Sequence, residues 1–465
     1  MRWKFVTHLK DYCANCTLSG FSYMANENLH FIERLFWLIC VVLSAWGCYH
    51  LIDEYENDFE SRAVSIVYES IHPFARVQFP TIGVCDLYNK YELGPEIEEY
   101  VASMEPCGLD CYKYEIETHI AFILYPYFYH DGVIRGRCEQ YENCGENCAK
   151  CPANNYRGLL EKFGANCSSL FNECSLSYKS FDCCKYFLPL ITPFGKCFLL
   201  NSLQNNKKDS PTWFNSMIKP TSQKPIMTIN SKRPIQVSIL NEEDVPHYAL
   251  PTVNVEIMQP GQRKSFQFFI ENMINDPGVR DISPHHRQCR FADELVDDTG
   301  FKAYSFSSCM ADCVRQHQMA LCNCSAYSLM PTPLAKYPDC DLKGYMCLER
   351  NYMVKRDAKP LLPWSDSNHT CTCLPSCTEN DIRSVYESNS VTEPGAKDIR
   401  IDIIMSNLPS ERYRRQALRS RLDAVVTIGG ILGLFLGASL LSGLEFFYYF
   451  TVRLWNDVRG ARRQQ

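Results

Sequence analysis

The stretch Val425 to Val452, VVTIGGILGLFLGASLLSGLEFFYYFTV, holds 28 residues and one charged side chain, Glu445. A bilayer core asks for ~20 apolar residues of helix, so this segment is long enough to span with tilt or a local break. Gly429, Gly433 and Gly437 recur every four residues. On a continuous helix that spacing lays a smooth stripe along one face, and taken alone it describes a packing face for dimerisation. The polar residues beyond it shift the balance. Ala438 and Ser439 follow the last glycine, then Ser442, then Glu445. A carboxylate inside a span costs ~2.5 kcal/mol or more and is seldom kept without an aqueous cavity or a partner. Gly437 and Ser439 would present carbonyl and hydroxyl oxygens at a constriction, the ligands a cation filter uses. A bundle of such helices would line a narrow point with Gly433 and Ser442 and carry a ring of Glu445 below it. That ring would concentrate cations and repel anions.

A second apolar run, Leu35 to Ile52 (LFWLICVVLSAWGCYHLI), covers 18 residues with His50 as its only possible charge. A cleaved signal peptide fits it poorly, because 34 residues precede it and no small-residue cleavage site follows. Acids come next instead: Asp53, Glu54, Glu56, Asp58 and Glu60. They could enrich cations near an outer mouth, although a solvated acidic helix face is the commoner meaning. Arg2, Lys4, Lys10 and Arg34 lie before the first run, and Arg453, Arg459, Arg462 and Arg463 follow the second. Positive charge at both ends places both termini in the cytosol. Arginines 412, 414, 415, 419 and 421 close a loop too long for the charge rule to apply, and could neutralise the acids near the membrane.

Cysteine use agrees with that topology. Of 26 cysteines, 22 fall between Cys85 and Cys377. The same stretch carries the sequons Asn166-Cys167-Ser168, Asn323-Cys324-Ser325 and Asn368-His369-Thr370. Cytosolic thiols stay reduced, so this density describes a disulfide framework outside the cell, with its connectivity left open. A zinc or redox site at Cys148-Cys151 or Cys371-Cys373 is the weaker alternative, since no paired histidines stand at zinc-finger spacing. Asn15-Cys16-Thr17 also forms a sequon, expected to be unused on the cytosolic side. A net charge of −6 gives no reason to expect nucleic acid as a partner.

The outer region shows no repeat. Strands are expected at Arg76 to Cys85, Ile235 to Leu240, Val253 to Met258, Ser265 to Ile270 and Ile399 to Met405, with a loop over Asn201 to Lys219. Ser307 to Cys322 makes the best helix, with Ser307 or Ser308 as its cap and Cys309 and Cys313 on one face. The class is a membrane protein of mixed α+β architecture, two transmembrane helices flanking a large disulfide-rich extracellular domain. Its divisions are a cytosolic segment 1–34, a first span 35–52, an extracellular domain 53–421, a second span 422–452 and a cytosolic tail 453–465.

Gly430 to Tyr449, GILGLFLGASLLSGLEFFYY, closely resembles the pore helix of the degenerin and epithelial sodium channel superfamily. Phe79 to Cys85 (FPTIGVC), Cys322-Asn323-Cys324 and Cys371 to Cys377 (CTCLPSC) resemble further motifs of that family. His30 to Leu38 (HFIERLFWL) and the cysteine pattern are most similar to its insect pickpocket branch. The resemblance implies Gly437-Ala438-Ser439 as selectivity filter. It also implies a homotrimer or heterotrimer in the plasma membrane, voltage-independent sodium permeation, sensitivity to amiloride-like blockers, and no cofactor or metal. The outer domain would be a hand of palm, knuckle, finger, thumb and β-ball, with strands near 76–85 and 399–405 in the palm. Movement of a thumb within 289–377 would reach the pore through that palm.

Two positions depart from the family's pattern. Ser19-Gly20 stands where a His-Gly gating pair is usual, keeping glycine's backbone freedom and losing the imidazole. Val426 stands where relatives carry a smaller side chain, and bulk there holds degenerin channels open. A two-span scavenger-type lipid receptor shares the topology but has no use for Gly437-Ala438-Ser439 or Glu445. An ATP-gated trimer is a closer rival without a matching cysteine pattern. No phosphate loop, zinc-binding helix motif or nucleophile elbow points to an enzyme.

Overall fold

The structure, a computed structural model, describes residues 2–61, 64–70, 77–87, 90–103, 119–121, 123–124, 152–218, 225–247, 250, 255–295, 299–352, 371–391, 398–406, 411–418, 421–453 and 455. Cys148, Cys151, Asn368, Arg76, Val253, Arg419 and nearly all of the 453–465 tail lie outside them. The chain divides into two units.

The larger unit covers Val67–Asn275 and Gln288–Arg414 and is built on two sheets. In the first, Ile399–Met405 runs parallel to Gln262–Asn275 and antiparallel to Ile226–Ser231. Its alternate residues Ile399, Ile401, Ile403 and Met405 are buried, the period of two that a half-covered strand requires. They join Phe266, Phe268, Ile229 and Phe79 in one apolar cluster. Each such side chain contributes ~1.5–3 kcal/mol on burial. In the second sheet Thr81–Asp86 is central, between Ile235–Leu240 and Gly195–Leu200, and all six of its residues are buried. The two strands that the resemblance puts together in a palm therefore sit in different sheets.

The strands expected at 235–240, 265–270 and 399–405 coincide with observed strands, that expected at 253–258 is described from Val255, that expected at 76–85 is observed as Val77–Gln78 and Thr81–Asp86, and the described part of the 201–219 loop carries only the short strand Met217–Ile218. The best helix is Phe306–Cys322. Its cap is Ser305, two residues before the nearer of the two serines expected: Ser305 Oγ accepts from Ser308 N at 3.1 Å, and Ser308 Oγ accepts from Ser305 N at 2.8 Å. Ser305 is extended, with φ −148°, and so can turn its hydroxyl onto the first turn. Ser307 instead donates to Asp244 Oδ1 at 2.8 Å.

Eight disulfides are described, and Cys309–Cys373 and Cys313–Cys371 form a ladder along one helix face. Cys371 and Cys373 are thus crosslinks, not metal ligands. Cys85–Cys197 and Cys289–Cys377 close 112 and 88 residues, each worth about 4–5 kcal/mol on a loop-entropy estimate. Arg412 and Arg414 both pair with Glu69, at 2.6 and 3.4 Å. The two guanidiniums hold the Glu69 carboxyl below its usual range.

The smaller unit covers Met1–Ile66, Asp276–Arg287 and Arg415–Gln465. Helix α1 (Arg2–Asn15) and the short α2 (Phe21–Ala25) precede α3 (Phe31–Ser61), which contains the 35–52 stretch. Phe31–Asn57 is long and apolar enough to cross a membrane. Phe31, Leu43, Trp46 and Tyr49 are exposed along it, as side chains solvated by lipid would be. Near the C-terminus α4 (Arg421–Leu436) and α5 (Leu440–Phe447) meet at a bend of 75°.

Candidate permeation site at the break in the second span

Gly437-Ala438-Ser439 is the break itself. Gly437 has φ +60°, the left-handed region that side chains with a Cβ avoid. Its amide donates to Gly433 O at 3.0 Å, a left-handed glycine stop at the end of α4. Ser439 then restarts the helix. Its hydroxyl accepts from Ser442 N at 3.3 Å, and Ser442 Oγ accepts from Ser439 N at 3.2 Å, a reciprocal cap of the capping-box type. Three consecutive residues thus stop one helix and start another. The glycine stripe is correspondingly interrupted, because Gly437 leaves the helix that carries Gly429 and Gly433. Gly429 has open space where a Cβ would stand.

The N-terminal segment lies along this break within the same unit. Ser19 N donates to Leu436 O at 3.0 Å, satisfying a carbonyl freed at the end of α4. Its side chain occupies the space a Cβ on Gly437 would need. Gly20, at φ +88°, has Val41 Cγ2 2.7 Å from where its own Cβ would be. Tyr23 stacks on Trp37 with centroids 4.5 Å apart, which fixes α2 on α3.

Thr17 was not singled out by the sequence. Its amide and hydroxyl both donate to Glu445 Oε2, at 3.1 and 2.8 Å, and its hydroxyl lies 2.9 Å from Ser442 Oγ. Below it Tyr12 packs edge-on against Phe446, Tyr449 and Phe450, with centroids 5.3–5.8 Å apart. Arg453 reaches Asp11 at 2.8 Å. The sequence signalled that Glu445 needs a partner or water but not which residue supplies it; the burial of Ser442, 4% exposed, is a second sign, visible only in the structure.

The structure therefore brings Ser19, Gly437, Ser439, Ser442 and Glu445 together, with Gly433 one turn above. Val426 lies elsewhere, exposed on α4. Asn166 and Asn323 are exposed in the larger unit. Among the described residues no group of three or more His, Cys, Asp or Glu is arranged to hold a metal.

The family model described as amiloride-sensitive sodium channel matches residues 12–449. Pickpocket protein 19 of Drosophila melanogaster is 21% identical, aligning 99% of this chain with 93% of its own length. Sodium channel protein Nach of the same species is 22% identical over 97% of this chain and 89% of its length. The bile acid-sensitive ion channel of Mus musculus is 21% identical over 96% and 88%. The matched residues run from α1 through the disulfide-bonded sheets to the end of the broken helix, and the chain belongs to the amiloride-sensitive sodium channel family: it is an ion channel subunit, similar to insect pickpocket proteins, and not an enzyme.

Proposed function

We propose that this subunit forms a sodium-selective, amiloride-sensitive, voltage-independent pore in the plasma membrane, as a homotrimer or with related subunits, and opens to an extracellular or mechanical stimulus. Channels of this family are oligomeric membrane proteins that conduct sodium. Three subunits would place three copies of the 437–439 break around one axis. In the proposed topology both termini are cytosolic, α3 and α4–α5 cross the bilayer, and the disulfide-bonded unit is a hand-like sensor outside.

The observation that carries this function is the helix break at Gly437-Ala438-Ser439. It removes backbone oxygens from intrahelical bonding, and it leaves Ser439 exposed while its hydroxyl caps the helix that follows. Oxygens gathered at a narrow point replace part of a cation's hydration shell. Glu445, one to two turns further, supplies the charge that favours cations. Ser19-Gly20 fills the break from the cytosolic side and is assigned to gating, as is Val426 by its bulk.

The test is the reversal potential of whole-cell currents in sodium and potassium, with and without amiloride. Ser439→Ala should lower the sodium-to-potassium permeability ratio, and Glu445→Gln should lower unitary conductance. Ratios unmoved by substitutions at 437–439 would place the filter elsewhere.

A further inference from the structure

Four oxygens run in a line from the break to the carboxylate. Ser439 Oγ and Ser442 Oγ are 3.3 Å apart, Ser442 Oγ and Thr17 Oγ1 are 2.9 Å apart, and Thr17 Oγ1 is 2.8 Å from Glu445 Oε2. Each hydroxyl owns a single proton, and an ionised carboxylate can only accept. The direction of every bond in the line follows from its end. Thr17 gives its proton to Glu445, so toward Ser442 it can only accept. Ser442 must then give its proton to Thr17, so toward Ser439 it can only accept in turn. Ser439 is left to donate into Ser442, while one of its lone pairs takes Ser442 N at 3.3 Å. Its remaining lone pair is then held outward, on a residue that is itself exposed.

We infer that Thr17 is a specificity-determining residue of the channel: through Ser442 it orients the Ser439 hydroxyl so that oxygen, not hydrogen, faces the permeating ion. This assignment rests on the conduction role given above to Ser439 and Glu445. Thr17 touches no ion and acts through its neighbours. Without its hydroxyl the Ser442 proton would turn to Ser439 Oγ and fill the free lone pair. The Ser439 proton would then swing outward, toward the cation. A reversed hydroxyl dipole weakens a ligand most for the smaller, more tightly coordinated ion, so sodium and lithium suffer more than potassium.

The experiment measures sodium-to-potassium and lithium-to-potassium permeability ratios in cells where the wild-type chain, alone or with a related subunit, carries current. A ratio does not depend on the number of channels at the surface. Thr17→Val and Thr17→Ala should each lower the sodium ratio roughly three- to tenfold, the weight of one hydrogen bond. Thr17→Ser should restore it. Ser442→Ala cuts the same line one step later and should lower it alike, which keeps a readout if both changes at 17 prevent surface delivery. In a Ser439→Ala background, Thr17→Val should lower the ratio no further. A loss of similar size in that background would show a general anchoring role and overturn the assignment. So would an unchanged ratio in Thr17→Val or Ser442→Ala, or a lowered one in Thr17→Ser. If Ser439→Ala and Glu445→Gln alone leave permeation unchanged, it is the conduction role that fails.

Discussion

The backbone amide of Ser19 donates to the carbonyl of Leu436 at 3.0 Å, joining the N-terminal segment to the last residue of α4 across more than 400 positions of sequence. That bond satisfies a carbonyl which the helix stop at Gly437 would otherwise leave free. The segment before the first span is therefore part of the structure at the break.

Gly437→Ala should abolish or strongly reduce current without preventing surface delivery. A Cβ there meets the Ser19 side chain and a backbone at φ +60°, which costs about 1–2 kcal/mol in the left-handed region alone. Surface biotinylation beside whole-cell recording separates the two effects. Wild-type current per surface channel would show that the left-handed stop is dispensable.

Ser19→His should change current per surface channel. The larger ring must displace contacts now made against Gly437, and it adds an imidazole that titrates near neutral pH. Unchanged current across pH 6 to 8 would remove the Ser19 side chain from gating.

Glycan mapping checks the topology. Asn166→Gln and Asn323→Gln should each speed gel migration by one glycan, since both asparagines are exposed. Asn15→Gln should change nothing, because Asn15 ends α1 on the cytosolic side in the proposed topology. A mobility shift from Asn15→Gln would reverse the assignment of the N-terminus.

Buried titratable groups give the larger unit opposing pH dependences. Burial, with Glu243 and Glu379 adding to it, raises Asp244 to about 7 against the bonds from Ser307 and Asn241. Folded Asp244 thus keeps a proton that the unfolded chain releases above ~4, and its contribution to stability falls as pH rises from ~4 to ~7. Burial lowers His247 to about 3. The unfolded imidazole takes up a proton below ~6.5 and the folded one does not, so stability falls as pH drops from ~6.5 toward 3. The two slopes oppose each other between ~4 and ~6.5. Asp244→Asn should leave the histidine slope uncompensated, up to ~1.4 kcal/mol per pH unit. Thermal unfolding of the purified full chain at pH 6.5, 5.5 and 4.5 reads it, and parallel curves for variant and wild type would contradict it.

Local chemistry made much of this legible. Gly437 followed by Ser439 and Ser442 is a helix stop and a restart within six residues, and the 28-residue apolar run left room for a break. The alternation in Ile399–Met405 marked a strand, and the run Ile82 to Cys85 fell within the strand expected at 76–85, although nothing in it announced that both faces, with Thr81 and Asp86, would be buried. What escaped was non-local. Thr17 meets Glu445 across 428 positions, and no periodicity reports that. Asp244 reads as part of a polar loop until the chain buries it against Ser307. The glycine stripe misled because its period assumed one continuous helix. The eight described disulfides follow from which strands and helices become neighbours, which cysteine spacing does not encode.

Water must reach Ser439 for any of this to hold. The direct measurement is modification of Ser439→Cys by a small cationic thiol reagent applied while current flows, in a background with Cys13, Cys16, Cys40 and Cys48 replaced by serine. The expected result is rapid, irreversible block that amiloride slows, with no effect on the same background carrying Ser439. Current that survives while the Ser439→Cys thiol stays unmodified would put that residue away from the conduction path.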